Sequence, residues 1–224
     1  MKSIPCFILA RKYSKGIKNK NIVKLGNKSL FKHTLDYVKK SKLISHIVVS
    51  TDDLKIAKLA KKNKCFTIYP RPKHLSNDFA SSESALTHAL KIFEKKKGKT
   101  NIIAYVQITE PFRPKGILDK CIKVLVNNKN IDSCFAGYEQ KKNFWIYKNK
   151  FLKRISPYKE RSKPRQIKEP VLREDTGIAL ATKSKFIKNG ERIGKKVKCI
   201  KYNNAKFNID INNIEDLKIA KKIL

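Results

Sequence analysis

Apolar and polar positions alternate along the chain in blocks of two kinds. Short continuous apolar runs predict buried strands, and these are residues 4–10, 46–50, 66–69, 101–107 and 133–136. Apolar residues spaced three and four positions apart predict helices, and these lie around residues 30–38, 54–62, 82–95 and 117–125. Strands that alternate with helices need crossover connections. The pattern therefore predicts an α/β fold with a mostly parallel sheet flanked by helices.

The last third of the chain follows a different pattern. Residues 144–147 and 151–155 predict a hairpin, and the polar, proline-containing segment 156–171 predicts an arm or lid. Regular structure is predicted to resume in strands at 177–181 and 199–202 and in a final helix at 214–224. Because no repeat or long linker divides the chain, residues 1–224 are interpreted as a single domain with 140–172 as a protruding arm.

Composition places the chain among globular proteins. Its 224 residues are 41% hydrophobic, which is enough to bury a substantial core. No apolar run approaches the ~20 residues that span a membrane, and the run at 4–10 is short for a signal peptide, so we expect a cytoplasmic protein. The five cysteines are odd in number and widely spaced, which predicts free thiols.

The net charge of +35 has two interpretations. A strongly basic chain is typical of a nucleic-acid-binding protein, and that function stays an alternative. However, arginine accounts for only eight of the 53 basic residues, and the lysines are scattered along the whole sequence. Scattered lysine favours solvated faces over a specific nucleic-acid interface, although such a field would also attract a nucleotide triphosphate.

Candidate chemistry follows the predicted strands, because ligands of open parallel sheets bind outside the carboxyl ends of the strands. The segments at these positions are polar and hydroxyl-rich, and they are residues 11–21, 50–53, 70–72, 107–113 and, much later, 208–210. The loop 11–21 contains Arg, Ser, Lys, Gly and Asn, which predicts an anion-binding loop and a phosphorylated ligand. The sequence of this loop matches neither the Walker A motif nor Gly-x-Gly-x-x-Gly.

In their order and spelling these segments resemble the acylneuraminate cytidylyltransferases, or CMP-sialic acid synthetases, with the CMP-KDO synthetases as more distant relatives. Residues 10–16, Ala-Arg-Lys-Tyr-Ser-Lys-Gly, resemble the family's Ala-Arg-x-Gly-Ser-Lys-Gly and are followed by Lys20-Asn21. The other similar blocks are Val48–Asp53, Tyr69–Pro72, Asn77–Ser82, Gln107–Arg113, and Ile209-Asp210 with Glu215–Leu217. The resemblance implies a Rossmann-like nucleotide-diphospho-sugar transferase fold.

The resemblance also implies a reaction, in which the 2-hydroxyl of a nonulosonic acid attacks the α-phosphate of CTP with Mg²⁺ present. The catalytic residues it implies are Arg11, Lys15 and Lys20. The nucleotide-binding residues are Arg11, Ser14, Lys15, Asn21, Arg71, Ser81, Ser82 and Gln107. The sugar-binding residues are Gln107, Arg165 and Arg173, and the metal ligand is Asp210. A homodimer is expected through the arm, whose aromatic residues are Phe144, Trp145 and Tyr147.

Several of these residues have a second interpretation. Ser81 and Ser82 are also suitable helix N-caps, Asp210 is also a suitable cap for the last helix, and the arginines 165 and 173 also suit structural ion pairs. Tyr13 stands where the family has glycine, Asn208 where it has aspartate, and Glu110 where it has serine. These departures leave open the identity of the sugar acid. They also leave open a catalytically degenerate relative that binds nucleotide.

Overall fold

A computed structural model describes residues 3–155 and 157–224. The strands are β1 (Pro5–Ala10), β2 (Lys24–Leu25), β3 (Lys28–Ser29), β4 (His46–Thr51), β5 (Phe66–Ile68), β6 (Ile102–Val106), β7 (Ser133–Gln140), β8 (Trp145–Lys148), β9 (Phe151–Arg154), β10 (Val171–Lys183) and β11 (Val197–Tyr202). The helices are α1 (Leu30–Lys39), α2 (Leu54–Lys62), α3 (Ser82–Lys97), α4 (Ile117–Asn127), α5 (Ser184–Lys188) and α6 (Ile214–Ile223).

The central sheet has the strand order β11-β7-β10-β6-β1-β4-β5. Strand β1 pairs in parallel with both β4 and β6, with Ala10 opposite Thr51 and Ile8 opposite Val106. Strand β10 is antiparallel to both of its neighbours, β6 and β7. The remaining pairs, β4 with β5 and β7 with β11, are parallel. The prediction of a mostly parallel sheet flanked by helices is therefore confirmed.

Burial explains why the predicted elements form. Every residue of β1 except Leu9 is buried, as its apolar run predicted. The predicted apolar face of α3 is buried as well, and its members are Ala85, Leu86, Ala89, Leu90 and Phe93. Polar side chains cap the helices, with Asp53 accepting a hydrogen bond at the start of α2 and Asn213 forming a capping box with Asp216 at the start of α6.

The structure corrects the prediction in the last third of the chain. Strand β10 begins at Val171, six residues before the predicted start at Gly177, and β7 continues to Gln140 instead of ending at Ala136. The two extensions pair with each other, and the register shifts between Asp175 and Leu180. Charged side chains in the extension hide the strand from a pattern-based prediction. The hairpin of β2 and β3 and the helix α5 were also missed, since they are too short to show a period.

The predicted hairpin is confirmed as β8 and β9, which form a two-stranded sheet of their own. Its apolar side chains are half or more exposed, and they include Trp145, Ile146, Tyr147, Phe151 and Leu152. Of the segment predicted as an arm, Ser156 lies outside the described residues. All five cysteines are free, as predicted. None of the helices in the described part is both long enough and apolar enough to cross a membrane.

Candidate active site

Two adjoining cavities open at the point where the order of strands in the sheet reverses. From β1 the chain proceeds to β4 and β5 on one side and then to β6 on the other side, so β1 and β6 flank a topological switch point. The first cavity has a volume of about 170 Å³ and is lined by Leu9, Arg11, Ser14, Lys20, Asn21, Arg71, Ser81, Ser82, Ala85, Tyr105, Gln107, Ile108 and Thr109. The second has a volume of about 360 Å³ and is lined by Gln107, Glu110, Arg173, Glu174, Asp175, Thr176, Gly177, Arg192, Asn208 and Asp210.

The loop after β1 is held in place by backbone contacts. The backbone N–H of Lys12 donates to Asp52 Oδ1 at 2.8 Å, and Asn21 Nδ2 donates to the carbonyl of Arg11 at 2.8 Å. The loop also packs closely on the end of the chain, since a Cβ at Gly16 would lie 1.9 Å from the carbonyl oxygen of Asn212. Position 16 therefore requires glycine. The loop and the closing segment form one wall of the site.

Two of the three predicted catalytic cations in this loop line the first cavity, and one does not. Arg11 lines it, with Nη1 2.7 Å from Asp78 Oδ1. Lys15 does not line it; its Nζ is 3.4 Å from Asp78 Oδ2 and its side chain is 81% exposed. Lys20 lines the cavity and donates to Asn212 Oδ1 at 3.3 Å. Burial lowers the pKa of Lys20, and nearby Asp210 acts in the opposite direction.

The opposite wall of the first cavity comes from the turn after β5 and the start of α3. Arg71 is buried, and its Nε donates to Ser76 Oγ at 3.1 Å. Ser81 is the N-cap of α3, because its Oγ accepts from the backbone N–H of Ser84 at 3.0 Å, and Ser82 is the first helical residue. Both serines also line the cavity. The positive end of a sixteen-residue helix thus faces the space and favours an anion there.

Gln107 belongs to both cavities, and buried contacts fix its backbone. Its backbone N–H donates to the carbonyl of Gly177 at 2.8 Å. The guanidinium of Arg113 donates to the carbonyls of Gln107 and Ile178. A Cβ at Gly177 would lie 1.5 Å from Glu110 Oε2 and 3.0 Å from Gln107 Cδ, so these two side chains converge on this glycine. Arg113, which had no predicted role, positions the residue that joins the two cavities.

Glu110 is the buried carboxyl group of the second cavity. It is 9% exposed and makes no hydrogen bond within residues 3–155 and 157–224. Burial raises the pKa of this carboxyl to about 7, and Arg113 opposes the increase. The residue that departs from the family's serine therefore contributes a carboxyl group that titrates near neutral pH.

Of the two arginines predicted to bind sugar, Arg173 lines the second cavity. Its Nε donates to Asp175 Oδ1 at 2.7 Å, and its Nη2 donates to Asn208 Oδ1 at 3.0 Å. The structural ion pair considered for Arg173 is thus present. Arg165 is exposed in the arm and lines neither cavity. Arg192, from the loop between α5 and β11, lines the second cavity and was missed, because nothing in that loop's sequence resembled a motif.

The predicted metal ligand, Asp210, lines the second cavity, and its Oδ2 accepts from Asn212 Nδ2 at 2.8 Å. It does not cap the last helix, since Asn213 does. The part of the chain that the structure describes contains no cluster of three or more metal-ligating side chains. Mg²⁺ needs only one or two carboxylates when phosphate and water complete its shell. Asp210 therefore fits an ion that arrives with a triphosphate.

Tyr13 does not obstruct the first cavity. Its side chain is 70% exposed and does not line the cavity, and the Nζ of Lys12 lies 5.2 Å from the centre of its ring. Its backbone is outside the left-handed region, so the position does not require glycine. The replacement of the family's glycine by tyrosine thus changes the surface of the loop and leaves the cavity open.

Comparison with known proteins identifies a family for the chain. Residues 6–221 match the protein-family model described as "Cytidylyltransferase". The chain is 30% identical over 125 residues to the pseudaminic acid cytidylyltransferase of Campylobacter jejuni serotype O:23/36, covering 56% of this chain and 54% of that protein. It is 39% identical over 90 residues to the CMP-N,N'-diacetyllegionaminic acid synthase of Campylobacter jejuni serotype O:2, covering 40% of this chain and 38% of that protein.

Among solved structures, the chain is similar to a CMP:2-keto-3-deoxy-manno-octonic acid synthetase complexed with CTP, with a TM-score of 0.73 at 12% identity. The superposition covers 100% of this chain and 98% of that one, which shows that the two share a fold. The stretches matched to curated relatives span between 25% and 61% of those relatives' own lengths.

Proposed function

The chain belongs to the cytidylyltransferase family, and from this premise we propose that it transfers the cytidylyl group of CTP to a hydroxyl of a nonulosonic acid, giving a CMP-sugar and pyrophosphate. The observation that carries the proposal is that two cavities of different chemistry meet at one residue, Gln107. A two-substrate transfer needs such an arrangement, because the donor and acceptor must be held side by side.

On the donor side, the first cavity suits a nucleoside triphosphate. Its cations are Arg11, Lys20 and Arg71, and none of the described residues that line it is a carboxylate. The N-terminus of α3 adds backbone N–H groups and a positive dipole. Asn21 and Ser82 supply neutral hydrogen-bonding groups. Charge neutralisation and alignment are what phosphoryl-type transfer chiefly requires from a protein.

In the proposed step, the acceptor hydroxyl oxygen forms a bond to the α-phosphorus, and the bond from that phosphorus to the bridging oxygen breaks. Pyrophosphate leaves, and the hydroxyl proton is released. Arg11 and Lys20 stabilise the charge on the departing pyrophosphate, and Gln107 orients the acceptor at the boundary of the cavities. Mg²⁺ held by Asp210 would add Lewis-acid polarisation of the phosphate oxygens.

The acceptor class follows from the relatives and from the second cavity. Two relatives are named for pseudaminic acid and for N,N'-diacetyllegionaminic acid, both nine-carbon sugar acids. The second cavity, at about 360 Å³, is larger than the first and contains two arginines. An arginine is the side chain best suited to a carboxylate. A nonulosonic acid is therefore proposed as the acceptor.

A homodimer is part of this proposal. The hairpin of β8 and β9 exposes Trp145, Tyr147 and Leu152 by 50%, 77% and 54%, and these side chains share one face of the hairpin and form an apolar patch that a second copy would cover. Arg165 lies in the same arm and lines neither cavity of its own chain, so its predicted contact with sugar requires a partner's site. Light scattering should give twice the chain mass, and the double variant Tyr147→Lys, Leu152→Lys should give the chain mass.

The test of the activity is pyrophosphate release from CTP and Mg²⁺ with a panel of acids: pseudaminic, N,N'-diacetyllegionaminic, N-acetylneuraminic and the eight-carbon keto-deoxy-octonic acid. Release is expected with at least one nine-carbon acid and not without acid. If CTP binds to saturation but no acid supports release, the chain is a degenerate nucleotide-binding relative. If it binds DNA duplexes with a steep salt dependence and does not bind CTP, the nucleic-acid alternative is correct.

A further inference from the structure

The two arginines of the second cavity, Arg173 and Arg192, differ in how many of their donors are free. A carboxylate is held bidentately by two parallel N–H donors along one edge of a guanidinium. The Nε of Arg173 is committed to Asp175. Its Nη2 has Asn208 Oδ1 at 3.0 Å and Tyr202 Oη at 3.2 Å. Both edges that a carboxylate could approach therefore contain a committed donor.

The contacts of Arg173 also have a structural purpose. The hydroxyl of Tyr202 donates to Asp175 Oδ2 at 2.7 Å, which closes a network between β10 and the end of β11. Asn208 accepts from Arg173 within the same network. The charge of Arg173 is balanced by Asp175 at 2.7 Å. Arg173 is consequently a residue that holds the cavity wall together.

Arg192, in contrast to Arg173, has donors without hydrogen-bond partners among the described residues. Its nearest charged partner is Glu83, with Oε1 3.4 Å from Nε, and that buried Nε makes no hydrogen bond within the described part of the chain. No hydrogen bond of its Nη1 or Nη2 occurs among the described residues either. The guanidinium lies over the ring of Tyr105, 5.9 Å from its centre. Two residues further on, the backbone N–H of Gly194 donates to Ser133 Oγ at 2.8 Å and anchors the loop.

The charge around the second cavity makes such a cation necessary. Four carboxyl groups line it, and they belong to Glu110, Glu174, Asp175 and Asp210. Asp175 is paired with Arg173, and the other carboxyl groups would repel an acidic ligand unless a cation with available donors faced it. Arg173 is already neutralised, so Arg192 is the lining cation with both terminal nitrogens available.

We infer that Arg192 is the clamp for the carboxylate of the acidic acceptor, with its Nη1 and Nη2 donating to the two carboxylate oxygens, and that Arg173 is not. The inference rests on the proposed function and deepens it, since it names the residue that makes the acceptor site specific for an acid. The alternative is that Arg192 serves only to hold Glu83.

The test compares Arg192→Gln with the unmodified protein, using the accepted sugar acid and its methyl ester. Loss of a charge-assisted pair should raise KM for the acid roughly 10- to 100-fold. KM for CTP should stay within about twofold, which also shows that the variant is folded. In the unmodified protein, KM for the ester should exceed KM for the acid by roughly 10- to 100-fold. In Arg192→Gln the two KM values should differ by less than about threefold. An equal ester penalty in both proteins would overturn the inference.

Two further variants separate the clamp from a structural role. Lys195→Gln removes an exposed charge from the same loop and should leave both KM values unchanged. Glu83→Gln breaks the ion pair and should leave the ester penalty intact; if it reproduces Arg192→Gln, the inference is wrong. If the unmodified protein releases no pyrophosphate, the proposed function fails instead. Arg192 is then judged by calorimetric binding of the acid, where equal Kd values for the unmodified protein and Arg192→Gln would overturn the clamp.

Discussion

The first cavity is lined mainly by segments that directly follow a strand or begin a helix, whereas the second takes most of its lining from a strand with a shifted register, a late loop and the closing segment. The first contains cations and hydroxyl groups, and the second combines four carboxyl groups with two arginines. The first can attract any polyanion through its charge. The second must select its ligand with few cations, so single residues there have a larger effect on specificity.

The largest expected effect comes from Asp210, which lines the second cavity. Asp210→Ala should lower Mg²⁺-dependent turnover at least about 1,000-fold, because a metal contributes several kcal/mol to a charged transition state. The side chain is exposed, so the free energy of unfolding should stay close to that of the unmodified protein. Pyrophosphate release measured over a range of Mg²⁺ concentrations checks this.

Glu215→Ala is the matched control, since it removes an exposed carboxylate five residues away that lines neither cavity. Its turnover should equal that of the unmodified protein. If Asp210→Ala kept full activity, the metal role of Asp210 would be refuted.

The next effect concerns the buried carboxyl group of the second cavity. Because the folded-state pKa of Glu110 is raised to about 7, the folded protein holds more protons than the unfolded chain between pH 4.5 and 7. Stability contributed by the protonated form is therefore present at low pH and lost as the pH rises through about 7. The loss amounts to about 3 kcal/mol at most.

Glu110→Gln should remove this loss. The free energy of unfolding of the variant, minus that of the unmodified protein, should therefore increase between pH 5 and pH 8 when both are measured by urea unfolding without metal. Glu174→Gln replaces an exposed carboxylate of the same cavity and should show no such growth. If the difference in the free energy of unfolding between Glu110→Gln and the unmodified protein is the same at both pH values, the burial argument is contradicted.

A smaller effect is expected from the charge of the first cavity. Arg11→Gln should raise KM for CTP roughly 10- to 50-fold through loss of a charge-assisted contact, and it should leave KM for the acid within about twofold. Lys12→Gln removes an exposed charge from the adjacent position, where the backbone makes the contact to Asp52, and should change neither value. Steady-state kinetics with each substrate varied in turn measures both KM values. Equal increases in the two would show that CTP and the acid do not bind in separate cavities.

The smallest effect concerns the departure from the family's glycine. Tyr13→Gly should change kcat/KM for CTP by less than about threefold, because the tyrosine side chain is 70% exposed and does not line the first cavity. A gain of tenfold or more in the same kinetic assay would show that Tyr13 does hinder the triphosphate.

The difference between the cavities also explains what could be predicted from the sequence. Residues of the first cavity lie in contiguous motifs after buried strands, so the sequence alone predicts that Arg11, Ser14, Asn21 and Arg71 lie together. Lys15 belongs to the same motif but extends into solvent beside Asp78, a pairing that spacing along the chain does not reveal.

The second cavity depends on contacts between distant parts of the chain. The start of β10 contains three consecutive charged residues, Arg173 to Asp175, and does not resemble a strand, so its pairing with the extended β7 could not be predicted. Arg192 reaches the cavity from a loop without a recognisable pattern, and the donors of Arg173 are occupied by residues up to 35 positions away. Hydrogen bonds of this kind exist only once the sheet has formed.

A crystal structure of the protein with CTP and Mg²⁺ tests the central claim most directly. The account predicts the cytidine and its triphosphate in the first cavity, with phosphate oxygens near Arg11 and Lys20, the α-phosphate beside Gln107, and the metal on Asp210. The second cavity should stay free of nucleotide. A triphosphate bound in the second cavity, or a metal ion on other residues with Asp210 unligated, would contradict the account.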